Sequence, residues 1–166
     1  MNRPDAAHGL GVTCAAMTAA TRDEAHRLLG RFLAVDAHYR ASATAYGDAG
    51  PAALDRALDL FLTRPEIGFV WLAHVEGSVV AACVVCYAIS TSRGSIVAKL
   101  DDVTVDAAWR GRGVGGAMLD ALAAHLAERG VTRIDTACHR GNASAWRFYA
   151  RRGFRPLDEE RLARVL

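Results

Sequence analysis

The feature that most constrains this chain is the run KLDDVTVDAAWRGRGVGGAM, residues 99–118. Its first part is a strand candidate, with β-branched Val103, Thr104 and Val105 in succession. Its middle sets Gly111, Gly113, Gly115 and Gly116 beside Arg110 and Arg112. Glycine lacks a Cβ, so such a turn can adopt positive φ and bring its backbone close to a ligand. From Val114 onward, apolar residues recur at helical spacing through Met118, Leu119 and Leu126. A strand, a glycine turn and a helix N-terminus form an anion cradle. The N–H groups point outward, the helix dipole adds positive potential, and the two arginines add charge.

Two kinds of site use such a cradle. Gly111, Gly113 and Gly116 match G-x-G-x-x-G, and Asp135 follows roughly twenty residues on, as a dinucleotide fingerprint requires. A dinucleotide loop begins where its strand ends, however, and here residues 106–110 intervene. The roughly 50 residues that follow are also too few for the remaining strands of a doubly wound fold. No Gly-Lys-Ser/Thr follows, which excludes a nucleotide-triphosphate loop.

The second reading absorbs more residues. Arg110-x-x-Gly113-x-Gly115 after a strand, followed by Asn142, Tyr149, Gly153 and Phe154, resembles the GNAT superfamily of acyl-CoA-dependent N-acyltransferases. The resemblance covers residues 100–154 best. It implies an α/β (α+β) single domain with a mixed, mainly antiparallel sheet, one splayed parallel strand pair and about four flanking helices. It implies acetyl-CoA as co-substrate, its pyrophosphate on Arg110, Gly111, Arg112, Gly113, Val114, Gly115 and Gly116. Backbone N–H groups around Val103, Thr104 and Val105, freed by a local bulge, would polarise the thioester carbonyl and pair with the pantetheine arm.

The residues themselves suggest the chemistry. Transfer of an acyl group to an amine needs a proton for the departing thiolate, and Tyr149, four residues before Gly153, is the candidate donor. Asn142 either bonds the cofactor arm or caps the last helix. Asp101 and Asp102, on opposite faces of a strand, are the candidate general bases, with Asp102 favoured. In the resembled family the corresponding region helps close the acceptor site, and the resemblance thereby makes His38, Tyr39 and Tyr46, with Asp36 and Asp48 beside them, candidates for acceptor contact. Cys138 and His139 suggest a thiol nucleophile with a base, but adjacent strand residues point apart and the resembled family transfers the acyl group directly.

Composition narrows the class further. At 166 residues the chain suits one domain, with residues 1–9 as a loose tail. A net charge of +2 and an absence of basic clustering give no sign of nucleic acid. No run approaches the roughly 20 apolar residues of a membrane span, and no signal peptide is evident, so a cytoplasmic protein is expected. Cys83 and Cys86 lie three apart in an apolar strand and face opposite sides, so no metal site is expected. The resembled family is often dimeric, which makes a homodimer the expectation.

In chain order, strands are expected at 12–17, 69–75, 79–89, 96–105 and 134–138, with 134–138 parallel to 96–105. A short strand should follow Gly153-Phe154, and 160–166 closes as strand or helix. Helices are expected from a Thr21/Glu24 capping box to 35, from Pro51 over 52–62, from 114 to about 128, and over 143–152. Residues 36–50 read as a polar connection. The favoured acceptor is the primary amine of a small cationic molecule such as a polyamine, amino sugar or amino-acid derivative. The alternatives are a protein lysine or N-terminal acetyltransferase and a non-catalytic acyl-CoA-binding module.

Overall fold

The computed structural model describes residues 10–47 and 49–165, and of Tyr46 the backbone only, so the expected tail 1–9 lies outside the described residues, as do Asp48 and Leu166. Five strands form one sheet in chain order: β1 (Thr13–Ala16), β2 (Gly68–Val75), β3 (Ser78–Ser90), β4 (Ser95–Val105) and β5 (Ile134–Thr136). All neighbours are antiparallel except β4 and β5, which run parallel. The helices are α1 (Arg22–Val35), α2 (Ala37–Tyr46), α3 (Pro51–Thr63), α4 (Val114–Ala127) and α5 (Ala143–Ala150), so five flank the sheet where about four were expected.

The extra helix is α2, in the stretch read as a polar connection. Asp36 caps it, its Oδ1 accepting from the Tyr39 amide at 2.8 Å, and Gly47 ends it at φ 69°. Its sequence has no apolar stripe, so hydrophobic spacing could not reveal it. At α1 the expected box is displaced. The Thr21 hydroxyl accepts from the Thr18 amide at 3.0 Å, before a short 3-10 turn, while Glu24 reaches across to the Val79 amide at 3.4 Å.

Both faces of the sheet are covered, which is why β3 is apolar almost throughout. On one face Met118, Leu122 and Leu126 of α4, each at most 1% exposed, pack on Trp71, Ala73, Val85, Ala98 and Leu100. Trp71 Nε1 donates to the Met118 carbonyl at 3.2 Å and fixes helix against sheet. On the other face Leu28 and Leu29 of α1 and Leu58 of α3 meet Val70, Leu72, Val79 and Ala82. Alternation on β2 sends Val70 and Leu72 one way and Trp71 and Ala73 the other, as a two-residue period requires. The β2–β3 hairpin turns on Glu76 and Gly77, both at positive φ, the conformation that suits the twist of a two-residue loop.

Two irregularities in β4 matter most. It pairs with β5 over three residues only, Ala98 to Leu100 against Ile134 to Thr136, and then continues alone to Val105. It also carries a bulge: Val84 opposes Asp101 and Ala82 opposes Thr104, so Cys83 faces both Asp102 and Val103. Asp102 sits at φ 49°, a left-handed conformation that Asp tolerates better than most residues.

The expected last strand does not form. Phe154 packs on Tyr149 at 5.3 Å between ring centroids, but residues 154–165 adopt neither strand nor helix. Pro156 offers no ladder donor, and the charged stretch that follows has no alternating apolar face. The segment is tied down by ion pairs instead, Glu160 with Arg140 and Arg161 with Asp101 at 3.7 Å.

Gly68, at the start of β2, has φ 152°, and a Cβ there would collide with the Val85 carbonyl oxygen and stand 2.9 Å from Cys86 Cα. Both obstacles are backbone in the centre of the sheet, so Gly68→Ala should cost roughly 2–4 kcal/mol, read as a lower urea midpoint at unchanged m-value.

Candidate active site

The glycine turn folds as its composition requires. Gly111 and Gly113 lie at φ 72° and 85°, and Gly113 is the N-terminal cap of α4. The first helical bond is Ala117 N–H to the Gly113 carbonyl at 3.0 Å. Among the described residues, none of the amides from Gly111 to Gly116 donates to a protein acceptor. Val114, Gly115 and Gly116 are themselves buried, and a buried helix start without partners is a place built for an anion. The cradle therefore fits the pyrophosphate of acyl-CoA. Arg110 and Arg112 shape the turn: Arg110 Nε donates to the Val105 carbonyl at 2.9 Å, and the Arg112 guanidinium lies 5.2 Å from the Trp109 ring centroid. Gly115 allows close approach, since a Cβ there would stand 3.2 Å from Val105 Cγ2 and 3.5 Å from Phe148.

The cradle adjoins the free edge of β4. Asp106 N–H donates to the Val80 carbonyl at 2.8 Å, so alternation turns the amide and carbonyl of Val105 away from β3, toward the side where β5 has departed. The Val105 carbonyl takes the Arg110 bond, and its amide faces the opening. The same alternation turns the Thr104 amide back to β3, and its side chain is buried. Val103 completes the bulge and packs on the α4 side of the sheet, as Val105 does.

The bulge separates the two aspartates. Asp101 is paired with Lys99 Nζ at 2.7 Å and with Arg161 at 3.7 Å. Among the described residues, Asp102 makes no ion pair within 4 Å. Its carboxyl is pushed up to about 6, chiefly by burial and then by the neighbouring Asp101, with Lys99 and Arg161 opposing the rise. A carboxyl in that range is a proton acceptor at neutral pH.

Tyr149 lies beneath the same opening. Its ring packs on Phe148 and Phe154, each at 5.3 Å, and its phenol meets the Thr136 side chain. Burial pushes the phenol up to about 12, with the Thr136 contact working the other way. Thr136 is the last paired residue of β5, and its hydroxyl donates to the Leu100 carbonyl at 3.0 Å, the point where the two strands part. Asn142 is the cap of α5, its Oδ1 accepting from the Ala145 amide at 3.0 Å. Cys138 leans on the His139 and Asn142 carbonyls, and burial raises its thiol, the opposite of what a thiolate nucleophile needs.

His38 at the start of α2 packs on His139 with ring centroids 4.9 Å apart, which brings α2 onto the β5–α5 connection. Tyr39 turns inward to Phe32 of α1 at 6.1 Å, and the Tyr46 side chain lies outside the described residues. Lys99, Thr136 and Arg161 were not singled out for the site from sequence, and His139 only as a base beside Cys138. Only tertiary contact places them there, and no local pattern marks them.

The model of the acetyltransferase (GNAT) family matches residues 35–154. Solved structures similar in fold include a transcriptional regulator from Bacillus halodurans C-125 (22% identity, 93% of this chain and 99% of that one, TM-score 0.74). Others are a ribosomal-protein-alanine N-acetyltransferase from Brucella melitensis biovar Abortus 2308 (17%, 93% and 99%, TM-score 0.70) and glucosamine-6-phosphate N-acetyltransferase from Arabidopsis thaliana (18%, 90% and 95%, TM-score 0.65). In sequence, 62 residues are 45% identical to an L-2,4-diaminobutyric acid acetyltransferase from Streptomyces avermitilis, a match spanning 35% of this chain and 35% of that enzyme.

Asp102 has a stability consequence of definite sign. Its folded value of about 6 lies above the ordinary 3.8, so the native state holds the proton more tightly than the unfolded chain. Stability is therefore lost as pH rises from about 4 through 6. Asn does not titrate and also accepts the left-handed conformation. Asp102→Asn should stabilise the protein by roughly 1–3 kcal/mol at pH 7.5, with the gain vanishing near pH 4, as thermal melts at the two pH values will read.

Proposed function

The chain belongs to the acetyltransferase (GNAT) family, and on that premise we propose that it is an acetyl-CoA-dependent N-acetyltransferase acting on the primary amine of a small molecule by direct attack in a ternary complex. The observation that carries this reading is the row of unpaired amides from Gly111 to Gly116 opening beside the unpaired edge of β4. Those amides would hold the pyrophosphate, and the outward N–H of Val105 would bond the peptide-like arm. Acetyl-CoA supplies the acyl group as a thioester.

The remaining work falls to two side chains of opposite character. Asp102, near 6, is mostly ionised at neutral pH and takes a proton from the acceptor ammonium at its carboxylate oxygen, directly or through water. Tyr149, near 12, keeps its proton at every working pH. Full transfer from such a phenol to a thiolate of ordinary basicity would run uphill by roughly 5 kcal/mol, so Tyr149 acts chiefly by donating a hydrogen bond from its hydroxyl to the departing sulfur. Asp101 holds Lys99 and Arg161 at the rim.

A small acceptor is supported by the diaminobutyric acid acetyltransferase match and by the mixed charges at the rim, which suit an amine that also carries a carboxylate. Thiol release from acetyl-CoA, measured against polyamines, amino sugars, amino acids and lysine or N-terminal peptides, should show turnover with a small amine; turnover confined to peptides would overturn the acceptor class. With the active amine, kcat/KM should rise through about pH 6 in the wild type. Asp102→Asn should lose that acid limb along with most activity, and Tyr149→Phe should lower kcat by roughly 10²-fold. Full turnover in Tyr149→Phe would remove its role.

A further inference from the structure

Arg152 lies just beyond α5, yet its guanidinium belongs to α4. Nη1 donates to Asp120 Oδ2 at 2.7 Å, while Nη2 occupies the place a Cβ on Gly116 would take, with Cζ 2.6 Å and Nε 3.1 Å from that point. Gly116 and Asp120 stand one turn apart on the same face of α4, so the guanidinium lies along the first turn of the helix. Because Cα–Cβ bonds lean toward a helix N-terminus, the space at Gly116 faces the cradle rather than the helix body.

That is a poor position for a cation in the free protein. The positive end of the helix dipole lies nearby, and Asp120 is the acid in its contact. An exposed Arg–Asp pair contributes little stability, and such a pair alone would not require a glycine at 116. An anion on the Gly111 to Gly116 amides would turn the same charge from a cost into a bond, with Nη2 and Nε aimed beside it.

We propose that Arg152 is a ligand of a phosphate group of coenzyme A seated on the cradle, with Asp120 as the positioning residue and Gly116 the gap that admits the guanidinium. This rests on the acetyl-CoA reading above. The test is calorimetric binding of CoA and of dephospho-CoA to wild type, Arg152→Gln, Arg152→Lys and Gly116→Ala, with melting temperatures of the free proteins as a control on folding.

Arg152→Gln should bind CoA about tenfold more weakly at nearly unchanged melting temperature, and Arg152→Lys should recover part of the loss. Gly116→Ala keeps the charge but displaces it, and should weaken binding similarly. An equal loss on dephospho-CoA assigns the contact to the pyrophosphate, and a loss on CoA alone assigns it to the 3′-phosphate. Either supports the proposal. Wild-type affinity for CoA in Arg152→Gln overturns it, whereas failure of the wild type to bind CoA overturns the acetyl-CoA reading and this inference with it.

Discussion

The site depends on one hydrogen bond at a fork. The Thr136 hydroxyl donates to the Leu100 carbonyl where β4 and β5 stop pairing, and beyond that point β4 runs on for five residues without a parallel neighbour. Backbone polar groups on a strand are normally satisfied by the next strand, so an interior edge left open is a place for a peptide-like ligand to take the missing partner's role. Trp71 clamps α4 to the sheet through Met118, and Gly115 lets the helix start approach Val105. The amide cradle is thereby delivered to the mouth of the same opening.

The electrostatics divide along the bulge. Without it, Asp101 and Asp102 would be two ordinary neighbours on opposite faces of a strand. With it, Asp101 is drawn into a rim of cations and Asp102 is left half-buried in a left-handed conformation, where desolvation is the largest influence on it. Tyr149 sits in a comparably dry setting, which pushes its proton the other way in usefulness: the phenol keeps what the carboxyl can accept. One local irregularity and one aromatic cluster thus set the Asp102 carboxyl and the Tyr149 phenol apart in proton affinity.

Much of this was legible in the residues, and what was not has a physical reason. The cradle, the β2–β3 hairpin, the parallel β4–β5 pair and the helix begun by Pro51 all announce themselves through glycine, turn chemistry or apolar spacing. Helix α2 does not, because its stability comes from the Asp36 cap and a few contacts rather than a stripe. The strand expected after Phe154 shows the reverse error, a strand read into a segment whose charges leave it no face to bury. Asn142 carried two readings, and its bond to the Ala145 amide makes it the cap of α5. The contacts that distinguish Asp101 from Asp102, and the placement of Arg152 against Asp120, lay beyond sequence because they depend on side chains brought in from elsewhere in the chain.

The bulge has one more implication. Ala98 and Leu100 face the α4 side of the sheet, and so do Val103 and Val105, although the first pair is even-numbered and the second odd. The two halves of β4 are thus in different frames, and Asp102 is the single residue that offsets them. Strike that codon out and the alternation would run unbroken, every core contact of the strand still in its place. Scaffold and site are in this sense written separately: the sheet has no need of the residue proposed to remove the proton, and a plain strand lies one deletion away.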